Sequence, residues 1–534
     1  MDHNNQIQQP VARPMPQQPM PQQPMPPRPP VQYIPPVQPY YYSPAQAPVP
    51  QEKPFPTGKR ELIFGVFILL CSLMLCNFTL FGGFNLGFAI GAVACIVCSV
   101  VYLRAGGCRI NGYSGALLAL SVIICAGFAR SDDGFVKFVL VCFLLLAVNL
   151  ALCLMAGQNL HSPGGIRSLL DPFRSALLFG IGAMSPAFRG LGVMFKEGGP
   201  AVKKGSAVLI GLAVAVPLVC ILIPLLMSAD AAFSGLLNLL PEFRIMELVL
   251  TLLFATVAAC VLYTRGTALR HKPKAEPATG GAGGAVSHLT VNTVLGVVCG
   301  IYAVYLVSQL AYFVGGFAGI LPEGFTAAEY ARRGFFEMAW LCAIDLSVMA
   351  LAVGLVKKEQ DRAPLATRLL CLFIGLVTVF LVVTASAKMG LYISSYGLTR
   401  LRVLTEVIMV FLGIATIMVC IWLFAPKMPY MKAVLLVALA MGAVTLWADV
   451  DTVVAAYNVG AYKSGALERV DVGYLGRLGD GAIPYIEQLT QDPDPAVALL
   501  AKEILREHTS DYRDFRNWNY ADWQARGYGQ EEMN

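Results

Sequence analysis

Charged residues are scarce in this chain. Asp, Glu, Lys and Arg make up 13% of its 534 residues, and 56% are apolar. An ordinary soluble domain carries about 25% charged residues. So low a fraction of charged residues excludes a string of soluble domains. The length alone would suggest about three such domains. The sequence therefore predicts an all-α polytopic membrane protein.

Motifs that carry chemistry are also lacking. The five histidines lie outside the apolar segments and far from one another, and no His, Cys or carboxylate cluster has the spacing of metal ligands. The chain has no phosphate-binding Walker loop, nucleophile elbow or kinase motif. Nearly all of its 14 cysteines fall in apolar segments, which is typical of buried thiols. We expect no cofactor and no metal. The sequence favours a non-enzymatic function, and a membrane enzyme stays open.

Proline and glutamine crowd into residues 1–58, where Met-Pro-Gln-Gln-Pro repeats run from Met15 to Pro26. Proline restricts the backbone and glutamine supplies no core, so this segment is predicted to be a disordered, polyproline-like tail. Two interpretations stay open: a spacer, or a docking strip for a protein partner. The net charge of +6 is modest for this length, so we expect no nucleic-acid partner.

Hydropathy predicts about eleven transmembrane helices within a bundle of residues 59–448. A bilayer core of about 30 Å needs about 20 apolar residues per helix. The first two spans form one uncharged run, 62–103, which must fold back, and Gly82-Gly83 is the expected turn. The other nine spans are predicted at 114–129, 135–156, 206–228, 246–264, 291–313, 334–356, 369–387, 403–424 and 433–447.

Basic residues divide unequally between the loops. Twenty-one Lys and Arg fall on one side of this threading and seven on the other. Because basic loops are retained in the cytoplasm, this predicts a cytoplasmic N-terminal tail. Residues 449–534 then form an extracytoplasmic C-terminal region, in which two short helices are expected at 482–489 and 496–507.

Ionisable groups inside the membrane are costly and are usually functional or paired. Asp345 lies near the middle of the eighth span, and Glu337 lies eight residues before it. Glu406 lies one turn into the tenth span, at the spacing from Arg402 that allows an i,i+4 pair, and Arg400 is adjacent. A carboxylate at this depth suits a cation or a proton, and the arginines suit an anion. The alternative is structural: Asp345 is hydrogen-bonded within the bundle, and Arg402 with Glu406 forms a clamp.

Three stretches carry a resemblance to a known family. They are 321–337, 396–402 and 451–475, and the last includes Tyr457-Asn458. Together they resemble a family of bacterial multi-pass membrane proteins known only as domain of unknown function four-one-seven-three. The resemblance covers roughly residues 60–490 and implies location in the bacterial cytoplasmic membrane. It implies no activity or ligand. Because the threading places all three stretches near the external side, we expect functional residues there, and Asn458 joins the candidates.

Two functional hypotheses follow. The first is an integral membrane protein for transport or permeation of a small solute or ion, which uses Asp345 and the external Arg and Glu residues. The second is a non-enzymatic envelope sensor or an assembly or scaffold protein. The lipid bilayer is the expected partner in both, and the sequence leaves the oligomeric state open.

Overall fold

The computed structural model describes most of the chain after the tail. The described residues are 218, 222 and the ranges 58–158, 245–271, 286–317, 335–357, 362–425, 428–508 and 514–528. Of these residues 82% are helical. The Pro/Gln-rich tail, most of the predicted fifth span and the stretch 318–334 lie outside the described residues.

Ten helices precede residue 449 in the described part of the chain. They are α1 (Lys59–Gly82), α2 (Leu86–Ala105), α3 (Gly112–Gly127), α4 (Gly134–Ala156), α5 (Ile245–His271), α6 (His288–Phe317), α7 (Phe335–Leu355), α8 (Leu365–Tyr396), α9 (Arg400–Phe424) and α10 (Tyr430–Ala448). Nine of the ten are long and apolar enough to cross a membrane, and α3, with 16 residues, is shorter. The chain is therefore a membrane-embedded helical protein.

The described helices coincide with the predicted spans, apart from the fifth, most of which is outside the described part. The predicted turn between the first two spans is confirmed: α1 ends at Gly82, and Gly83 has a φ of +66°, a conformation that glycine adopts without strain. The described residues support nine spans, so the number eleven stays a prediction.

The helices leave large apolar side chains on their outer surfaces. Ile63 and Phe67 on α1 are more than half exposed, as are Val101 on α2 and Phe135 on α4. Such exposure is costly in water and is expected in lipid, because lipid tails solvate apolar side chains and intrahelical hydrogen bonds satisfy the backbone. The apolar surface is thus consistent with a bilayer around the bundle.

Two main groups of helices pack internally. In the first, α2, α3, α4 and α10 enclose a core that contains Phe128 and Leu439. In the second, α6, α7, α8 and α9 enclose Leu381 and Met409. The groups adjoin where α9 meets α10.

The residues after α10 form a small helical unit, which we call the cap (449–508). It contains α11 (Val450–Lys463), α12 (Val472–Leu475), a single 3-10 turn (Asp480–Ala482), α13 (Ile483–Glu487) and α14 (Pro495–Glu507). Its own core includes Val459, Leu475 and Ile486. Helices α13 and α14 lie where the two short helices were predicted.

A second C-terminal element, the strap (514–528), ends in α15 (Tyr520–Ala525) and crosses the turn between α1 and α2. The amides of Leu86 and Gly87 donate to the carbonyl oxygens of Trp518 and Arg516, each at 3.1 Å. These amides begin α2 and have no partner within their own helix, so the strap supplies the missing acceptors. A Cβ at Gly87 would lie 2.9 Å from the Arg516 carbonyl oxygen, so glycine permits this approach.

Candidate functional site

Two of the three family-like stretches meet at one end of the bundle. The guanidinium of Arg400, in the first turn of α9, donates two hydrogen bonds to the carboxylate of Asp451 on α11. The Arg400 backbone amide donates to the hydroxyl of Tyr474 at 2.9 Å. The Asn458 side chain accepts from the Leu398 amide at 2.6 Å and donates to the Leu398 carbonyl at 2.9 Å. The turn between α8 and α9 is thereby fixed to the cap.

The local sequence of this turn explains its shape. Gly397 follows α8 with a φ of +74°, and the Thr399 hydroxyl caps α9 by accepting from the Arg402 amide at 3.3 Å. A Cβ at Gly397 would lie 2.6 Å from the Asn458 Oδ1 atom. Both the backbone conformation and the close approach of Asn458 therefore favour glycine here.

Asp133 brings a second helix to Arg400. One oxygen of its carboxylate accepts from the amides of Phe135 and Val136, both at 3.0 Å, and so caps α4. The other oxygen lies 3.9 Å from the Arg400 Nε atom. Asp133 and Asp451 are 4% and 1% exposed, whereas the Arg400 side chain is 39% exposed. One partly accessible arginine thus joins two buried carboxylates, one from the bundle and one from the cap.

Asp449 connects α10 to α11 in a strained conformation. Its φ of +55° and ψ of +97° are unusual for a residue with a side chain, and it is buried. Its carboxylate accepts from the Ser131 hydroxyl at 2.9 Å and from the Thr452 hydroxyl at 2.5 Å. Such strain persists where surrounding contacts hold the residue, and it is common at functional sites.

A glycine-flanked turn of the cap completes the arrangement. The Gly479 amide donates to Asp451 Oδ2 at 2.8 Å, and a Cβ at Gly479 would lie 3.2 Å from an oxygen of Asp132. A Cβ at Gly481 would collide with the Asp449 carboxylate. We call the assembly of Asp132, Asp133, Arg400, Asp449, Asp451 and the turn 479–481 the cap junction.

The crowding of carboxyl groups changes the acidity of Asp132. Burial raises the pKa of Asp132 to about 6, and the neighbouring charges of Asp480, Asp449 and Asp451 add to this rise, whereas Lys137 opposes it. Burial also raises the pKa of Asp449, although its hydroxyl partners oppose the shift. The cap junction can therefore take up a proton close to neutral pH.

Lys137 lies one turn into α4 and is 4% exposed. Its ammonium group donates to the Asn85 side chain at 2.6 Å. Asn85 precedes α2 and also donates to the Gly82 carbonyl at 2.9 Å. The charge that opposes proton uptake by Asp132 is thus held in place by the turn between α1 and α2.

Arg402 and Glu406 do not form the predicted clamp in the described structure. The Arg402 guanidinium donates to the carbonyl oxygens of Gly397 and Tyr396 and lies 4.2 Å above the ring of Tyr392. A cation at these last carbonyls stabilises the end of α8. One carboxylate oxygen of Glu406 is buried without a hydrogen-bond partner among the described residues.

Asp345 is enclosed within the second helix group and is 1% exposed. Its two carboxyl oxygens accept from the Tyr302 hydroxyl on α6 at 2.6 Å and from the Thr378 hydroxyl on α8 at 2.8 Å. The Thr378 hydroxyl also lies 2.9 Å from the Ile374 carbonyl. If Asp345 carried a proton, it could donate to Thr378, which could then donate to Ile374. The network is thus fully satisfied with no charge.

Glu337 does not share this environment. It is exposed in the first turn of α7, whereas Asp345 is buried. Eight residues rotate a helix by about 800°, which leaves the two side chains about 80° apart around the axis. The structure places Arg400 in the cap junction, and Asn458 and Arg402 at the adjoining turn between α8 and α9. Asp345, Glu337 and Glu406 lie apart from the cap junction.

Sequence reasoning missed the acidic residues of the cap junction. Asp132 and Asp133 lie in the sequence Arg130-Ser-Asp-Asp-Gly134 before an apolar run, which is typical of an ordinary helix start. A weak signal existed, because Asp449 and Asp451 directly follow the last span. Among the described residues, no group of three His, Cys, Asp or Glu side chains is placed to hold a metal ion.

Comparison with known proteins identifies the chain at the level of its family. Residues 113–489 match the family described as Domain of unknown function (DUF4153), so the chain belongs to this family. The resemblance to a family of unknown function is confirmed, although under a different number. The match includes all three family-like stretches. No curated protein and no solved structure matches the chain.

Proposed function

We propose that this member of the DUF4153 family is a non-enzymatic membrane sensor of external acidity. In this proposal the cap junction binds the proton, and Arg400 transmits the change to the helix bundle. The observation that carries the proposal is the position of one partly exposed arginine between Asp133 of α4 and Asp451 of the cap, beside a carboxyl group with a pKa of about 6.

The sensing mechanism follows from the charges at this site. Below pH 6 Asp132 is neutral, and the turn 479–481 packs against one fewer negative charge. Above pH 6 Asp132 becomes an anion beside Asp451, and the repulsion weakens the contact of this turn with the junction. Because Arg400 begins α9, a movement of Asp451 changes the first turn of α9. With the N-terminal tail in the cytoplasm of a bacterium, as predicted, the bundle would carry this change across the membrane.

Hydrogen exchange of the full-length protein in lipid nanodiscs tests the coupling. After correction for intrinsic exchange rates, we expect α11 and the first turn of α9 to be less protected at pH 7.5 than at pH 5. Arg400→Gln should abolish the pH response of α9 while α11 still responds. Arg469→Gln, at an exposed position of the cap, removes the same charge and serves as the control. The proposal would be contradicted if the protection of the first turn of α9 did not change with pH in the wild-type protein, or if it changed by the same amount in Arg400→Gln.

Transport or permeation of a small ion is the second candidate, and Asp345 is the observation that favours it. A carboxyl group in the middle of α7, bound only by hydroxyl groups of two other helices among the described residues, is suited to exchange a proton. Its burial means that α6 or α8 must move away before solvent reaches it.

Proteoliposomes that enclose a pH-sensitive dye test this candidate. Transport through Asp345 predicts a proton flux that Asp345→Asn abolishes, while the variant is reconstituted at the normal level. Glu337→Gln, which removes an exposed carboxylate of the same helix, should leave the flux unchanged. Equal flux in the wild-type protein and Asp345→Asn would refute it.

A further inference from the structure

Exposed basic side chains gather at the end of the bundle opposite the cap. Lys59 and Arg60 begin α1, Arg104 lies in the last turn of α2, and Arg109 follows shortly after. All four are exposed. The Arg60 guanidinium donates to the carbonyl of Ala105 at 3.3 Å, which places it at the end of α2 next to Arg104. These residues form a positive surface where two apolar helices end.

The acidic residue that the structure describes beside these basic side chains, Glu61, does not cancel their charge. Glu61 is 6% exposed and points into the bundle. Its carboxylate lies 3.1 Å from the His271 Nε2 atom and 3.7 Å from the Arg270 guanidinium, both in the last turn of α5. Glu61 is thus engaged by residues of α5, and the outward-facing groups at the ends of α1 and α2 stay positive.

An exposed apolar stripe runs from each arginine along its helix. On α1, Arg60 is followed at helical spacing by Ile63, Phe67 and Leu70, all more than half exposed. Ten residues of helix span about 15 Å, which is about half the thickness of the bilayer core. The stripe therefore has the length of one leaflet.

Helix α2 provides a matching stripe. Val101 and Val97 precede Arg104 at the same spacing and are 61% and 51% exposed. Because α1 and α2 are joined by a tight turn and run antiparallel, Arg60 and Arg104 lie at the same end of both stripes. The exposed apolar stripes of α1 and α2 thus end at one pair of guanidinium groups.

We propose that this surface binds one anionic phospholipid. Arg60 and Arg104 bind the headgroup phosphate, with Lys59 adding positive charge beside it, and the acyl chains lie along the stripes of α1 and α2. Guanidinium groups suit a phosphate because they donate in a planar fork. The apolar stripes favour a lipid over a free phosphate ion, because only a lipid has acyl chains that can lie along them. This site lies away from the cap junction, and the proposal does not depend on the proposed function.

Native mass spectrometry of the purified full-length protein tests the site. The protein is titrated with phosphatidylglycerol and, separately, with phosphatidylcholine of the same acyl chains. We expect the first phosphatidylglycerol to bind more tightly than the first phosphatidylcholine. Near an anionic surface each basic residue strengthens attraction about fivefold. Arg60→Gln/Arg104→Gln should therefore weaken phosphatidylglycerol binding about 25-fold. It should weaken phosphatidylcholine binding less, because the choline cation already offsets the attraction of that lipid's phosphate for the arginines.

The control is Arg469→Gln/Arg477→Gln, which removes two exposed arginines of the cap and should change neither affinity. Unchanged phosphatidylglycerol binding in the first double variant, or an equal loss in the control, would overturn the proposal. If the first double variant does not fold, Arg104→Gln alone at its exposed position should give about a fivefold loss, and no loss would overturn it.

Discussion

Replacing Asp132 with asparagine is expected to stabilise the cap at neutral pH. Asparagine has nearly the shape of the protonated carboxyl group and cannot ionise. The pKa of Asp132 is about 6 in the folded protein, against an ordinary value of 3.8. About two pKa units at 1.36 kcal/mol each correspond to a cost of up to about 3 kcal/mol for the ionised carboxylate in the folded state. Partial exposure of the side chain makes this an upper value.

The direction in which the stability changes with pH follows from proton binding. Between pH 4 and 6 the folded state holds this proton more tightly than the unfolded state, so the stability of the wild-type protein falls as the pH rises through this range. Once the pH is well above 6, the stabilisation that comes from this proton is lost completely. Asp132→Asn should therefore be more stable than the wild-type protein at pH 7.5 by up to about 3 kcal/mol, and nearly equal to it at pH 4.

Urea unfolding of the cap in nanodiscs, followed by tryptophan fluorescence, measures this difference. Trp518 and Trp523 lie in the strap, and α15 of the strap packs against the turn 480–482 and α13 of the cap. Glu468→Gln removes one negative charge at an exposed position of the cap and is the matched control, with no stabilisation expected. The role of Asp132 in the cap junction would be refuted if Asp132→Asn were no more stable than the wild-type protein at pH 7.5, or if it were stabilised equally at pH 4.

Two further predictions concern packing. Asp345→Asn should change the free energy of unfolding by less than about 1 kcal/mol, because the amide oxygen still accepts from Tyr302. Asp345→Leu should lower it by about 1–3 kcal/mol, because the Tyr302 hydroxyl is left without an acceptor. Thermal unfolding in detergent compares the two variants, and equal losses of stability would contradict the hydrogen-bond network around Asp345. Gly87→Ala should weaken strap docking by about 1–3 kcal/mol through contact with the Arg516 carbonyl, seen as faster proteolysis of the strap, whereas Gly296→Ala, with open space around it, should not.

Hydropathy was sufficient to predict the helices because each span must be apolar along most of its length in order to lie in lipid. It could not predict how the helices pack, since lipid-facing and core-facing positions are equally apolar. Asp345 stood out in the sequence for the same reason, as a rare carboxyl group in an apolar run. Its partners Tyr302 and Thr378 did not, because hydroxyl groups are common in such helices and their meeting depends on packing.

The cap junction was only half visible in the sequence. Arg400 and Asn458 belong to family-like stretches, and both were candidates. Asp133 was not, because an acidic residue before a helix is usually a cap exposed to water. The Ser131 hydroxyl and its partner Asp449 are 318 residues apart. Contacts of this kind depend on how the helix ends are arranged, which the local sequence does not encode.

The strap also constrains the order of biosynthesis. The Arg516 side chain donates to Asn77 on α1 at 3.1 Å, and these two residues are 439 positions apart. At about 5–20 residues per second, the first two helices emerge from the ribosome at least about 20 seconds before the strap that completes them. Until then the first amides of α2 need water or a chaperone as partners. The hairpin of α1 and α2 is therefore completed by a segment that is made after all of the described bundle helices.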